Sequence, residues 1–199
     1  MYNGGTNTMG IIEFLNLKKF YLIILTLGLF IGMAGITPAV FASNTQNMDN
    51  EINNESNNHY IQSLAQSITK NVNTTNRSEI AKVIFNWMQD HIVYEKPMYY
   101  NSKHFAEGTA KLGMGNCCDQ SRLFIALCRA AGIPQNATEF CYSDAVKFRG
   151  GHVYGHVWPV VILENNTKLI YDTSSKLSTI GHPTWTNMGT TTSSYNLNI

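Results

Sequence analysis

The sequence predicts an α+β fold in which helices come first along the chain and an antiparallel sheet follows. Two hydrophobic patterns lead to this prediction. Between Ser78 and Ala131, apolar residues recur with the period of an α-helix. Between Ala137 and Asp172, the pattern changes to short extended runs separated by turn residues. Because helical and extended segments do not alternate, the order argues against a doubly wound parallel sheet.

The first 42 of the 199 residues predict a targeting segment. A pair of lysines precedes an apolar run over residues 20–36, and Val40 and Ala42 have the spacing of a signal-peptide cleavage site. The run is also close to the length needed to cross a membrane, so a cleaved signal and an anchor through residues 20–41 both stay open. Either alternative predicts that the remainder is exported and lies outside the cell, in the wall, or anchored to the membrane facing outwards.

Residues 43–77 are predicted to be an Asn-rich linker with one short helix, at about residues 61–70. The part from 43 to 58 has almost no apolar side chain, which is typical of a disordered segment. A catalytic domain is expected over residues 78–199. Residues 43–199 contain 12 basic and 12 acidic residues, so their charge gives no indication of a nucleic-acid partner.

A strongly amphipathic helix is predicted to begin at Ser78. Ile80, Ile84 and Met88 share one face at helical spacing, and we expect this face to pack against the core. His91 falls on the same face one turn further along, and is expected to close it.

The stretch from 115 to 134, GNCCDQSRLFIALCRAAGIP, predicts a second helix with a cysteine in its first turn. Asn116 is a suitable N-cap, and Gly132 is a suitable residue just past the C-terminus. Cys128 belongs to the apolar stripe of this helix. The free N–H groups and the positive dipole end at a helix N-terminus favour a thiolate at Cys117, and the thiolate is the nucleophilic form. Taken alone, however, a cysteine here is also typical of a small buried residue.

The strands that follow supply the groups a thiolate needs, namely a base and a residue that orients the base. Strands are expected over residues 137–143, 153–163 and 168–172, with turns at 147–151 and 164–167. The second strand contains His152 and His156, and Asp172 ends the third. Residues four positions apart on a strand face the same side. The spacing alone therefore does not show which histidine is the base. The two histidines lie about 13 Å apart on an extended strand, too far to share a metal ion, and no cofactor is expected.

Three blocks in this order, GNCCDQSRLFIALCRAAGIP, YGHVWPVVI and YDTSS, resemble the transglutaminase-like superfamily of papain-related folds. The resemblance covers about residues 78–185. It implies a papain/transglutaminase-like core in which N-terminal helices pack on an antiparallel sheet. It also implies the roles of a Cys-His-Asp triad, with Cys117 as nucleophile, His156 as general base and Asp172 as the orienting group.

Within this superfamily, the cysteine loop with YGHVW and DTSS is most similar to the pseudomurein endoisopeptidases of methanogenic archaea and their viruses. Those enzymes cut the isopeptide bond between alanine and the lysine ε-amine in the wall cross-link. The similarity implies an exported thiol hydrolase whose partner is a cell-wall peptide or protein. The N-terminal wall-binding repeats of the better-known enzymes have no counterpart here. A cross-linking transglutaminase and a non-catalytic surface adhesin of the same fold remain alternatives, and the pairing of Cys118, Cys128 and Cys141 stays open.

Overall fold

The computed structural model describes residues 48–73, 75–96 and 102–193. The predicted targeting segment, including the apolar run at 20–36, lies outside these residues. Within the described ranges, no helix combines the length and the apolar character needed to span a membrane.

The described chain begins with helices and ends with strands, which confirms the predicted α+β class. In order, the elements are α1 (48–56), α2 (His59–Thr69), α3 (Arg77–His91), β1 (Val93–Tyr94), α4 (Phe105–Leu112), β2 (Met114–Gly115), α5 (Cys117–Ala130), a 3₁₀ turn (Gln135–Ala137), β3 (Thr138–Phe148), β4 (Val153–Ile162), β5 (Lys168–Ile170), β6 (Trp185–Asn187) and β7 (Thr192–Ser193).

Helix α5 lies at the centre of the described structure. It packs against α2, α3 and α4 on one side and against β3 and β4 on the other, and Phe124 and Cys128 are fully buried. The predicted N-cap is present, since the Asn116 side chain accepts the N–H of Asp119 at 2.9 Å. The helix ends where Gly132 takes a left-handed φ of 101°, which a glycine adopts without steric cost.

Strand β3 is the middle of a curled antiparallel sheet in the order β5-β4-β3-β6, with β7 also pairing with β3. Ser143 of β3 pairs with His156 of β4, and a change of register follows before Val146. A separate parallel pair, β1 and β2, sets Tyr94 beside Gly115 immediately ahead of α5. This pair therefore holds the residues that lead into α5.

The prediction of a disordered linker is wrong over residues 48–56, because these residues form helix α1. Its apolar residues are few, but Met48 and Ile52 are both buried in the main core. Its acidic side chains compensate for the scarcity of apolar ones by pairing with arginines of α5. Asp49 Oδ1 lies 2.6 Å from Arg129 Nη2.

The second of these arginines, Arg122, is only 2% exposed. It pairs with Glu51 at 3.1 Å and with Glu55, while its guanidinium lies 4.7 Å from the centre of the Phe105 ring. Burial raises the pKa of Glu55, although the charge and hydrogen bond of Arg122 oppose this effect. Helix α1 therefore depends on contacts made far along the sequence.

Three local predictions also need correction. His91 does not close the apolar face of α3, because it is exposed; its Nδ1 bonds to the Trp87 carbonyl at 2.8 Å and its ring stacks on Trp87. Strand β3 continues to Phe148, where a turn was expected. The return strand β5 stops at Ile170, so Asp172 follows the strand and does not end it.

Candidate active site

Cys117 is the first residue of α5 and is 7% exposed. A hydrogen bond from Cys118 is the largest influence on its thiol and lowers the pKa. Burial acts in the opposite direction, but a hydrogen bond and charge interaction with His156, and the backbone N–H of Val157, lower the pKa further. The pKa of Cys117 therefore lies well below its ordinary value, which favours the thiolate form of the sulfur.

His156 and Asp172 form a buried pair next to this sulfur. His156 Nε2 lies 3.1 Å from Asp172 Oδ2, and the two side chains are 3% and 2% exposed. Burial alone would lower the pKa of His156, but Asp172 and Cys117 outweigh it and raise the pKa to about 10. Because Nε2 faces Asp172, Nδ1 is the ring nitrogen left for the thiolate.

The carboxylate of Asp172 is held by more than the histidine. Burial would raise its pKa, yet the positive His156 and hydrogen bonds from His156, Trp185 and the Ser174 N–H keep the pKa below its ordinary value. Trp185 Nε1 donates to Oδ2 at 2.6 Å, and the Ser174 N–H donates to Oδ1 at 2.9 Å. Sequence analysis missed Trp185, because nothing in its neighbourhood indicates a contact with a residue 13 positions earlier.

The structure thus brings Cys117, His156 and Asp172 together and leaves His152 outside this set. His152 stacks on Tyr154, and the ring nitrogen that bonds to Asp172 belongs to His156. These are the three residues to which the family resemblance assigned the triad roles, and the roles themselves stay a prediction.

Asp119, two residues after Cys117, serves the local fold. Its Oδ1 accepts the Ser102 hydroxyl at 2.7 Å and the backbone N–H groups of Lys103, His104 and Phe105. Among the described residues, Asp119, Glu95 and His104 are the one group whose ligand atoms lie close enough to hold a metal ion. Glu95 pairs with Lys103 and His104, whereas the buried Oδ2 of Asp119 has no hydrogen-bond partner in the described structure.

The remaining three cysteines are buried and have raised pKa values. All four cysteines are free thiols, so none of the disulfides considered from the sequence is present. The hydrogen bond to Cys117, with burial second, raises the pKa of Cys118. Burial raises the pKa of Cys128 and that of Cys141, the latter to about 12. Cys117 is therefore the one thiol among the four whose pKa favours the thiolate.

A cavity of about 490 Å³ opens onto His156 and Asp172. Its walls include the aromatic side chains of Tyr94, Phe148 and Tyr154. Its lining also contains two cationic residues, Lys96 and Arg149, both exposed. Its one acidic lining residue in the described chain is the buried Asp172. The cavity is therefore large enough for part of a peptide and is positively charged at its edge.

Comparison with known proteins agrees with this architecture. Residues 62–173 match the model of the transglutaminase-like superfamily. A proposed cysteine protease from Cytophaga hutchinsonii is 20% identical, with a TM-score of 0.47, over 67% of this chain and 47% of that protein. A proposed protease from Parabacteroides distasonis is 12% identical, with a TM-score of 0.43, over 76% of this chain and 31% of that one. LapG from Legionella pneumophila, in its EGTA-treated form, is 15% identical, with a TM-score of 0.47, over 63% of this chain and 76% of LapG.

A search of curated proteins found no match. The chain spans less than half the length of the first two of these structures. The family model, by contrast, covers more than half of the chain and includes both Cys117 and His156. This chain belongs to the transglutaminase-like superfamily.

Proposed function

We propose that this protein is an exported thiol hydrolase that cleaves amide or isopeptide bonds. One observation supports the proposal above all others: a low-pKa thiol at the N-terminus of α5 interacts with a buried His156–Asp172 pair. In the proposed mechanism, Cys117 is the nucleophile, His156 the general acid and base, and Asp172 the residue that orients the imidazole.

The reaction begins with attack of the Cys117 sulfur on the carbonyl carbon. The electron pair of the C=O π bond moves to oxygen, and the Cys117 backbone N–H stabilises the resulting oxyanion. As the C–N bond breaks, His156 transfers its Nδ1 proton to the leaving amine, which leaves a thioester on Cys117. Neutral His156 then takes a proton from water, whose oxygen attacks the thioester. Collapse of this second intermediate releases a carboxylic acid and restores the thiolate–imidazolium pair.

We propose the Ala-ε-Lys cross-link of pseudomurein as the bond that is cut. The motifs GNCCDQSRL, YGHVW and DTSS support this choice, as does a predicted targeting segment over residues 1–42 that would deliver the enzyme to the wall. The positive edge of the cavity adds a preference for peptides that carry a carboxylate near the scissile bond.

The same charge distribution favours hydrolysis over cross-linking. A transglutaminase must admit a lysine amine as the acceptor, and such an amine is largely protonated before it reacts. Lys96 and Arg149 repel an incoming ammonium group, and the one acidic lining residue in the described chain, Asp172, is buried and already paired with His156. Water carries no charge and is not affected in this way.

Product analysis tests the proposal. The purified protein is incubated with pseudomurein, with peptidoglycan and with Nε-alanyl-lysine, and the products are identified by mass spectrometry. We expect a new free lysine ε-amine from pseudomurein and from the isopeptide. Cys117→Ala should abolish this product, whereas Cys128→Ala, in the same helix, should retain it. Cleavage by the Cys117→Ala protein, or a new isopeptide in place of a free amine, would contradict the proposal.

A further inference from the structure

Tyr94 lies at the N-terminus of α5 although it is 23 positions away in the sequence. It ends β1, whose parallel pairing with β2 sets Tyr94 opposite Gly115, two residues ahead of Cys117. The bond from the Glu95 N–H to the Gly115 carbonyl, at 3.1 Å, continues this pairing. Tyr94 is half-buried and lines the cavity that also contains His156 and Asp172.

The hydroxyl of Tyr94 contacts the reacting residue at two points. It forms one hydrogen bond with the Cys117 side chain and one with the Cys117 backbone N–H. Burial raises the pKa of Tyr94, and the negative charge on Cys117 raises the pKa further. The phenol therefore keeps its proton at neutral pH and presents an O–H donor beside the sulfur.

Two other donors in this region are already engaged. The side-chain amide of Gln120 donates to the Gly115 carbonyl at 2.9 Å. The indole N–H of Trp185 donates to Asp172. The Tyr94 hydroxyl differs from both, because its acceptor is the sulfur whose negative charge the reaction removes.

We propose that Tyr94 is a catalytic residue that supplies the second oxyanion hydrogen bond, next to the Cys117 backbone N–H. This inference depends on the proposed thiol hydrolase function. When the C–S bond forms, negative charge moves from sulfur to the carbonyl oxygen. The Tyr94 O–H then exchanges the sulfur for this oxygen as its acceptor and retains its proton, and the Cys117 N–H exchanges the Tyr94 oxygen for the same oxyanion. The hydrogen bond is stronger in the transition state than the one it replaces, so it accelerates the chemical step.

The test uses N-acetyl-alaninal, an aldehyde whose adduct with Cys117 places an oxygen in the oxyanion position. The Cys117–aldehyde C–S bond forms, the π electrons move to oxygen, and His156 supplies a proton to that oxygen. Adduct formation is measured as protection of Cys117 from iodoacetamide, followed by mass spectrometry, and it requires no turnover. We expect Tyr94→Phe to raise the half-protecting aldehyde concentration at least about 10-fold. Tyr60→Phe, which removes a hydroxyl from the exposed surface of α2 outside this cavity, should leave it unchanged.

The outcomes separate the two proposals. Equal half-protection in the natural protein and in Tyr94→Phe would overturn the assignment of Tyr94. Absence of protection in the natural protein, with Cys117 still readily alkylated, would instead contradict the proposed acyl chemistry. If Tyr94→Phe loses its fold, as judged by circular dichroism, the same measurement is made on protein that contains 3-fluorotyrosine at position 94. It keeps the shape and strengthens the donor, so it should lower the half-protecting concentration, and an unchanged concentration would refute the role.

Discussion

Trp185 bonds to the same oxygen of Asp172 that faces His156. Its indole N–H lies 2.6 Å from Oδ2, and His156 Nε2 lies 3.1 Å from that oxygen. The Trp185 ring also meets the His156 ring edge to face, with 5.5 Å between centroids. Since the Ser174 N–H holds Oδ1, both carboxylate oxygens are fixed and the carboxylate cannot rotate away from the imidazole.

Trp185→Phe should therefore impair catalysis by loosening the orientation of His156. A hydrogen bond to a charged group contributes about 1.5–3 kcal/mol, and we expect roughly a 10-fold loss in kcat with little change in KM. Trp185 holds Asp172, and Asp172 in turn holds the His156 imidazolium beside Cys117. We therefore also expect the pH profile of Cys117 alkylation to shift towards higher pH. Trp87→Phe, a change at a tryptophan stacked on the exposed His91, is the control. A loss of kcat without a shift in the profile would contradict a positioning role.

The titration of the Cys117–His156 pair should give a broad window of reactivity. The lowered pKa of Cys117 keeps the thiolate present until the pH falls to that low value, and the imidazolium persists until the pH rises through about 10. Iodoacetamide alkylation of Cys117 should thus change little between its lowered pKa and about pH 9, a range in which an ordinary cysteine gains reactivity steeply. Hydrolysis should fail above that window, because His156 no longer has a proton for the leaving amine.

The variant Asp172→Asn tests the upper pH limit of this window of reactivity. It removes the charge that raises the pKa of His156, so the upper limit of hydrolysis should move to lower pH. An alkylation rate for natural Cys117 that rises tenfold with each pH unit up to pH ~8.5 would show an ordinary thiol and refute the ion pair.

Helix α1 should contribute to stability through Arg122. Arg122→Ala leaves the carboxylate of Glu55, 16% exposed, without its partner, and breaking a buried pair in this way costs about 3–5 kcal/mol. Glu51→Gln removes a partner that is 46% exposed, so its effect should stay below about 1 kcal/mol. Urea unfolding of both variants measures the free energy of unfolding. Equal effects in the two variants would show that Arg122 does not hold α1 in place.

The difference between α5 and α1 shows what the sequence could predict. Helix α5 was predicted with its cap and its cysteine because Asn116 and the apolar period are local determinants, and the family motifs then singled out His156 and Asp172. Helix α1 was missed because its partners Arg122 and Arg129 lie 67 and 80 positions from the acids they bind. Trp185 was missed for the same reason, since only the folded sheet brings it to Asp172.

Arg149 should set the preference for a carboxylate on the substrate. Its side chain lines the cavity, and Lys147, two positions earlier on β3, is exposed but does not. Arg149→Ala should raise KM about two- to five-fold for an isopeptide with a free carboxylate, because an exposed ion pair contributes little more than this. kcat should not change, and the amide-capped form of the same isopeptide should show no effect.

Lys147→Ala should leave both substrates unaffected, because the proposal assigns the effect to the cavity edge and not to general surface charge. Added salt should reduce the difference between the two substrates, since it screens exposed charges. An equal rise in KM for the free and capped isopeptides would show that Arg149 acts through packing and would remove the basis for a carboxylate preference.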